Sequence, residues 1–259
     1  MSLTGATIVV SGVGSGLGRE VATIALREGA NVVLGARREE HLVAIAEELD
    51  PSGSRVAWLR TDITDPAQCE RLAAVAVDRF GGVDGLAQVA AFDPPFGGVM
   101  DSEVVDWNAA FNAIVIGSMQ MVKAVAPHMT ERGGGSVVLI GAQAMYRPQV
   151  PQIAYAAAKG ALNSSMYYMA SELGPNRIRV NTVVPTWMWG PPVEGYVAWQ
   201  SQELGVPTEQ IVGGITANMP LGEIPADEDV AEAVAFLLSP RARMITGQSL
   251  FVNAGELMP

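Results

Sequence analysis

The sequence predicts an α/β fold, a doubly wound parallel sheet of about seven strands with helices on both faces, in one domain spanning residues 1–259. Three observations carry this. Short apolar runs alternate with longer helical patterns along the chain. The runs are nearly continuous in Val, Ile, Leu and Ala, as in strands buried on both faces. No internal repeat, low-complexity segment or linker divides the sequence.

The first strand is ATIVVS (6–11), followed by glycines and a helix to about Glu28. NVVLGA (31–36) is the second strand, and RREEHLVAIAEEL after it reads as a charged amphipathic helix. RVAWLR (55–60) is the third, with a helix opening at Asp65–Pro66, a capping residue followed by proline in the first turn. VDGLAQVAA (83–91) and GSVVLIGA (135–142) are further strands, separated by a long helical pattern from about Val104 to Met129. A helix around Tyr155 leads to IRVNTVV (178–184), and SLFVNA (249–254) closes the sheet. Residues 185–222, rich in Pro, Gly and Trp, read as a loop-rich insertion, and an insertion that long in a compact domain is more often functional than idle.

Composition excludes several classes of function. The formal net charge is −11, from 27 acidic and 16 basic residues, whereas nucleic acid and anionic membrane surfaces require clustered Lys and Arg. The single cysteine, Cys69, cannot close an internal disulfide, which fits a reducing cytoplasm, and it reads as a small core residue. His41 and His128 are far apart with no neighbouring ligand, so no metal site is expected, and His41 is expected on a solvated helix face. No basic segment followed by a long apolar one opens the chain, so neither a signal peptide nor a membrane span is expected.

Two clusters carry chemistry. SGVGSGLG ends the first strand, with Gly12, Gly14, Gly16 and Gly18 bracketing Ser15 and Leu17. Glycines at a strand-to-helix turn let backbone approach a pyrophosphate, while the helix N-terminus supplies N–H groups and positive dipole. The second is Tyr155-x-x-x-Lys159, one helical turn apart on one face. A tyrosine can pass a proton to or from a reacting oxygen if its pKa falls from about 10 toward neutrality, and a nearby ammonium favours the phenolate.

The Gly-x-x-x-Gly-x-Gly turn, Tyr155-x-x-x-Lys159, Asn112 in AAFNAIVIG, IRVNTVVP (178–185) and ITGQSLFVNAG (245–255) occur in an order that resembles the short-chain dehydrogenase/reductase family from end to end. The resemblance implies a Rossmann-like nicotinamide-dependent oxidoreductase interconverting a secondary alcohol and a ketone. It implies Tyr155 as acid/base, Lys159 as the group that lowers its pKa and holds the nicotinamide ribose, and Asn112 as support for a proton relay. It further implies cofactor contacts at Gly12, Ser15, Gly16, Leu17, Gly18, Asp62, Ile63, Ala90, Pro185, Thr186 and Met188. Asp62 could equally be a helix cap. At the end of the second strand, where a carboxylate suits a free ribose hydroxyl and an arginine a 2′-phosphate, stand Ala36, Arg37 and Arg38. NADP is therefore favoured over NAD, the alternative being that both arginines pair with Glu39 and Glu40.

The family's active-site serine falls thirteen positions before the tyrosine, and that position is Ala142. Loss of such a donor costs roughly 3–4 kcal/mol of transition-state stabilisation in other enzymes. Gln143 could donate instead, a water or a substrate group could fill the gap, or the chain could be a cofactor-binding sensor or scaffold without turnover. The family's Asn-Asn-Ala-Gly is Gln88-Val89-Ala90-Ala91 here, its Pro-Gly is Pro185-Thr186, and Gly190 stands where a threonine is expected. The segment after Pro185 (186–222) matches the family's substrate lid. With Trp187, Met188, Trp189, Tyr196 and Trp199 in it, and Met145 and Tyr146 expected beside it, it suits a bulky apolar alcohol or ketone. The tryptophans could equally pack lid to body. The resemblance also implies a homotetramer built on the helices near 104–129 and 153–173 and on the C-terminal segment, with a homodimer as the alternative.

Overall fold

The computed structural model describes residues 1–258. Seven strands form one wholly parallel sheet: β1 (Thr7–Ser11), β2 (Asn31–Ala36), β3 (Val56–Arg60), β4 (Gly85–Gln88), β5 (Gly135–Ile140), β6 (Ile178–Pro185) and β7 (Ser249–Val252). Their order is β3-β2-β1-β4-β5-β6-β7, so the winding reverses between β1 and β4. A crevice opens at that reversal, beyond the carboxyl ends of the strands, and ligands of doubly wound sheets bind there.

Alternation along each strand divides the core into two layers. Ile8, Val10, Val32 and Leu34 face α1 (Leu17–Arg27), α2 (Glu39–Leu49) and, late in the chain, α9 (Asp227–Leu238). Val9, Val33, Leu86 and Leu139 face α3 (Pro66–Phe80), α4 (Val104–Phe111), α5 (Ser118–Glu131) and α6 (Ile153–Leu173). Asp65 caps α3 as its sequence predicts, accepting from the Ala67 and Gln68 amides at 2.9 and 3.4 Å. Cys69 is buried against this layer, and loss of hydration pushes its thiol up to about 11. His41 lies on α2, half-buried.

Helix runs unbroken from Val104 to Glu131, long and apolar enough by composition to cross a membrane. In the fold, Ala110, Ile114, Met121, Val125 and Met129 of this run are buried in the second layer. Its middle, Asn112–Gly117, is a π-helical turn that no sequence signal marked.

The insertion after β6 differs from its sequence reading. Most of it is helical, in α7 (Pro191–Leu204) and α8 (Thr208–Thr216). Pro191 and Pro192 occupy the first turn of α7, where proline's missing amide has no intrahelical role, and Gly205 ends the helix in the left-handed conformation. Of the residues that suggest a loop, the prolines and Gly205 mark the ends of α7, while Gly195, Gly213 and Gly214 lie inside the helices.

Two glycines of the first turn are fixed by contact. Gly12 has φ +97°, and a Cβ there would lie 2.2 Å from the Ala90 amide nitrogen. A Cβ on Gly18 would lie 2.4 Å from the Gly12 carbonyl oxygen. Gly14 has no neighbour within 4 Å of such a carbon. Gly12→Ala should therefore destabilise by about 1–3 kcal/mol from backbone strain alone, with overlap adding to it. Gly14→Ala should stay within about 0.5 kcal/mol. Thermal unfolding of the two variants beside the parent checks this, and equal effects would contradict it.

Candidate active site

Two neighbouring depressions flank the glycine turn. The larger, about 870 Å³, is lined by Gly12 and Gly14 of the turn, Arg37 and Arg38 after β2, Asp62 and Ile63 after β3, Ala90 after β4, and Asn112. The smaller, about 300 Å³, is bordered by Gly16 and Leu17, by Ala142, Gln143 and Tyr155, and by Pro185, Thr186, Trp187, Met188 and Tyr196. Most of the residues singled out in the sequence thus line one or other of two depressions beside the same turn. Gly18 lies buried behind the turn, where it lets helix and strand close up, and Ser15 is exposed at the turn's tip.

The larger depression fits a dinucleotide. The backbone at Gly12 and Gly18 has no room for side chains, and the turn leads into α1, whose start at Gly16 and Leu17 borders the smaller depression. Ser11 Oγ on its wall is buried without a hydrogen-bond partner. Arg37 and Arg38 are exposed and, among the described residues, form no ion pair, so the pairing with Glu39 and Glu40 does not occur. Asp62 does not cap α3. Its carboxylate accepts from the Thr64 amide and hydroxyl at 3.0 and 2.8 Å while its residue borders the crevice.

Asp227, at the start of α9, packs between the glycine turn and Gly190. Cβ atoms on Gly16 and Gly190 would lie 2.9 and 2.4 Å from its Oδ2. The space a threonine would fill at position 190 is therefore occupied by a carboxylate. Burial, then the nearby Glu20 and Glu194, raise its pKa.

Tyr155 and Lys159 project from the first turns of α6. Lys159 is 3% exposed, its Nζ lies 5.5 Å from the Tyr155 ring centroid, and it donates to the Ile140 carbonyl at 2.7 Å. Burial lowers the lysine to about 8, against an opposing pull from Asp93. The Tyr155 phenol is raised, first by burial and then by the Asp93 carboxylate. This reverses the expected direction. The ammonium is committed to a backbone carbonyl and does not offset the phenol's loss of hydration.

Gln143 is not a free donor. It is 1% exposed, its Nε2 donates to Glu256 at 2.9 Å, and its Oε1 accepts from Asn253 Nδ2 at 2.8 Å. Glu256 also accepts from the Thr186 hydroxyl and the Gln149 amide, and the Arg147 guanidinium lies 3.9 Å away. This buried knot ties the C-terminal segment to the floor of the smaller cleft and commits the Thr186 proton. Ala142 borders the cleft with no hydroxyl to offer.

Three expected substrate contacts fall elsewhere. Tyr146 is 45% exposed, packs on Phe251 at 5.3 Å and accepts from Asn163, so it leaves the cleft wall. Met145 lies beneath Gly141, away from the lining. Trp189 is pinned by its amide to the Pro225 carbonyl, bridged to Ala226, and lies outside the lining. The lid face is instead a ladder of Trp187, Tyr196 and Trp199, with ring centroids 5.1 and 6.1 Å apart, of which the first two reach the cleft.

A family model described as Enoyl-(Acyl carrier protein) reductase matches residues 12–256. Dehydrogenase/reductase SDR family member 4 of Homo sapiens is 32% identical over 240 residues, covering 93% of this chain and 83% of that protein. The chain belongs to the short-chain dehydrogenase/reductase family. Another short-chain dehydrogenase/reductase relative, 2,5-dichloro-2,5-cyclohexadiene-1,4-diol dehydrogenase LinX of Sphingobium indicum, is 31% identical over 257 residues, 98% of this chain and 96% of that one. Among solved structures, a variant of actinorhodin polyketide ketoreductase with NADPH superposes with TM-score 0.88 at 30% identity, covering 97% of both chains. The family's doubly wound sheet and its oxidoreductase class are thus those of this chain.

The buried lysine makes stability depend on pH. Between about 8 and the ordinary lysine value the unfolded chain holds a proton that the folded one lacks, so stability rises with pH across that window. Relative to Lys159→Met, the wild-type protein should gain about 3 kcal/mol between pH 7 and pH 10.5. Denaturant unfolding across that range checks this, and a constant difference would contradict it.

Proposed function

We propose that the chain interconverts a secondary alcohol and a ketone with a nicotinamide cofactor, NADP in preference to NAD, and that Tyr155 is its acid/base. The observation that carries this reading is the position of the Tyr155 phenol on the wall of a cleft that shares the glycine turn with the dinucleotide-sized depression. A bound cofactor supplies or accepts the hydride. The chain's own residues do the rest. Tyr155 gives its proton to the carbonyl oxygen in reduction and takes it back from the alcohol in oxidation. Lys159 holds the nicotinamide ribose and a positive charge below about pH 8, and Asn112, at the π-helical turn, supports the path that resupplies the proton. Arg37 and Arg38, exposed and without ion pairs among the described residues, suit a 2′-phosphate.

Trp187, Tyr196, Phe96, Val150, Pro192 and Val193 give the cleft apolar walls, while its volume of about 300 Å³ is small for a ligand pocket. We therefore narrow the substrate from a bulky to a compact, mainly apolar alcohol or ketone. The diol named for the Sphingobium relative is of that size. A homotetramer is supported by exposed apolar side chains on α4 and α6, among them Val104 (73%) and Tyr168 (70%). The buried, lone Cys69 suits a reducing cytoplasm.

One observation favours a second reading, a cofactor-binding sensor or scaffold: Ala142 carries no hydroxyl and the Gln143 amide is committed to Glu256 and Asn253. The two readings separate by fluorescence titration with NADPH and NADH followed by assay on a panel of compact ketones. The oxidoreductase reading expects tighter binding of NADPH, turnover, and loss of at least about 100-fold in kcat for Tyr155→Phe with cofactor affinity retained. Cofactor binding with no reduction of any ketone favours the sensor.

A further inference from the structure

The carboxylate of Asp227 stands where the glycine turn, the lid and α9 meet. Carbons added at Gly16 and Gly190 would lie 2.9 and 2.4 Å from its Oδ2, so both glycines close on it. Gly16 precedes the first residue of α1, Gly190 precedes the first residue of α7, and Asp227 is itself the first residue of α9. Three helix N-termini thus converge on one carboxylate, and their dipoles offset its charge. No hydrogen bond or ion pair does so among the described residues. The charges that face it have the same sign: Glu20 of α1, itself paired with Arg19 at 2.8 Å, and Glu194 of α7. The carboxylate is also held in place. The Trp189 amide donates to the Pro225 carbonyl at 2.7 Å and Trp189 bridges Ala226, so the segment leading into α9 moves only with the start of the lid.

A dinucleotide that spans the two depressions passes this point. Gly12, Gly14, Arg37 and Arg38 border the larger one, whereas Gly16, Leu17 and Asp227 border the smaller one with Tyr155. A cofactor that reaches from the arginines to the tyrosine carries its diphosphate across the turn between them. The start of α1 suits that diphosphate, and the Asp227 carboxylate already draws on it. We propose that Asp227 is an internal anion opposing the cofactor's diphosphate, so that the chain holds its cofactor more loosely, and releases it faster, than the glycine turn alone would allow. This rests on the nicotinamide-cofactor part of the reading above and is independent of whether any ketone is reduced. No lysine or arginine lines the smaller depression to cancel the repulsion. Like charges a few ångströms apart near a protein surface change an equilibrium by about tenfold or more.

The test is binding of NADPH and NADP+ to the full-length protein, by calorimetry and nucleotide fluorescence, with release followed by stopped flow. Asp227→Asn keeps the shape of the side chain and removes its charge. At about pH 8 it should bind both nucleotides about tenfold more tightly than the wild type and release both more slowly. Asp227→Ser, neutral and at home in a first helical turn, should do the same. Glu209→Gln, on the exposed start of α8 and outside both depressions, makes the same change in net charge and should leave both affinities within about twofold. A merely structural Asp227 would show lower thermal stability in both variants with cofactor affinity equal or weaker. That result, or an equal gain in Glu209→Gln, would overturn the inference and leave the oxidoreductase reading standing. So would tighter NADPH with weaker NADP+, which would put the carboxylate beside the positively charged ring instead of the diphosphate. Failure of the wild type and every variant to bind either nucleotide would sink both.

Discussion

Everything at the crevice depends on one close approach, the abutment of the Gly12 backbone on Ala90. It lies where the sheet's winding reverses, so the turn leaving β1 and the segment leaving β4 must share the space above the strands. With no side chain at Gly12, the two backbones meet, and the segment after β4 is set by the turn that faces the dinucleotide. The same segment continues through Asp93 to Gly97, which is hydrogen-bonded at the start of α6. One contact thereby links the cofactor turn, an acidic wall of the cleft and the helix that carries Tyr155 and Lys159. A shift at either end moves the reacting groups relative to one another.

The electrostatics inside this frame run against stability and toward chemistry. A lysine 3% exposed with one backbone partner has its ammonium weakened to about 8, while the phenol, deprived of water beside a carboxylate, is held more firmly in its neutral form. The departures from the family pattern are coherent with this. Ala142 removes a hydroxyl, Gln143 turns inward to Glu256 and Asn253, and Gly190 leaves room for Asp227. The cleft that results is acidic on two sides, aromatic on the lid side, and free of cations apart from the lysine beneath it.

The sheet was legible because its signals are local. Strand identity follows from short apolar runs, and the capping of α3 from Asp65 and Pro66 standing side by side. Strand ends were less so. VDGLAQVAA shortens to Gly85–Gln88, because the ladder ends where the chain rises over Gly12. The lid was misread because prolines at the start of α7 and glycines within α7 and α8 look like loop composition when the intervening residues have weak helical periodicity. What the sequence hid is what long-range contacts decide. Glu256 meets Gln143 across 113 residues, Tyr146 turns toward Phe251, and nothing near Asp93 announces that its loop is tied to the tyrosine's helix. A π-helical turn at Asn112 likewise leaves no mark in residue type.

The most direct test of the account is transfer of the hydride itself. Protein mixed in a single turnover with C4-deuterated NADPH and a compact ketone, then quenched and analysed by mass spectrometry, should yield an alcohol carrying one deuterium on the former carbonyl carbon. The same mixture with Tyr155→Phe should leave the label in the cofactor. Tight cofactor binding with no label in any product from the wild-type protein would contradict the account, and would make this crevice a place where a nucleotide is held and nothing is reduced.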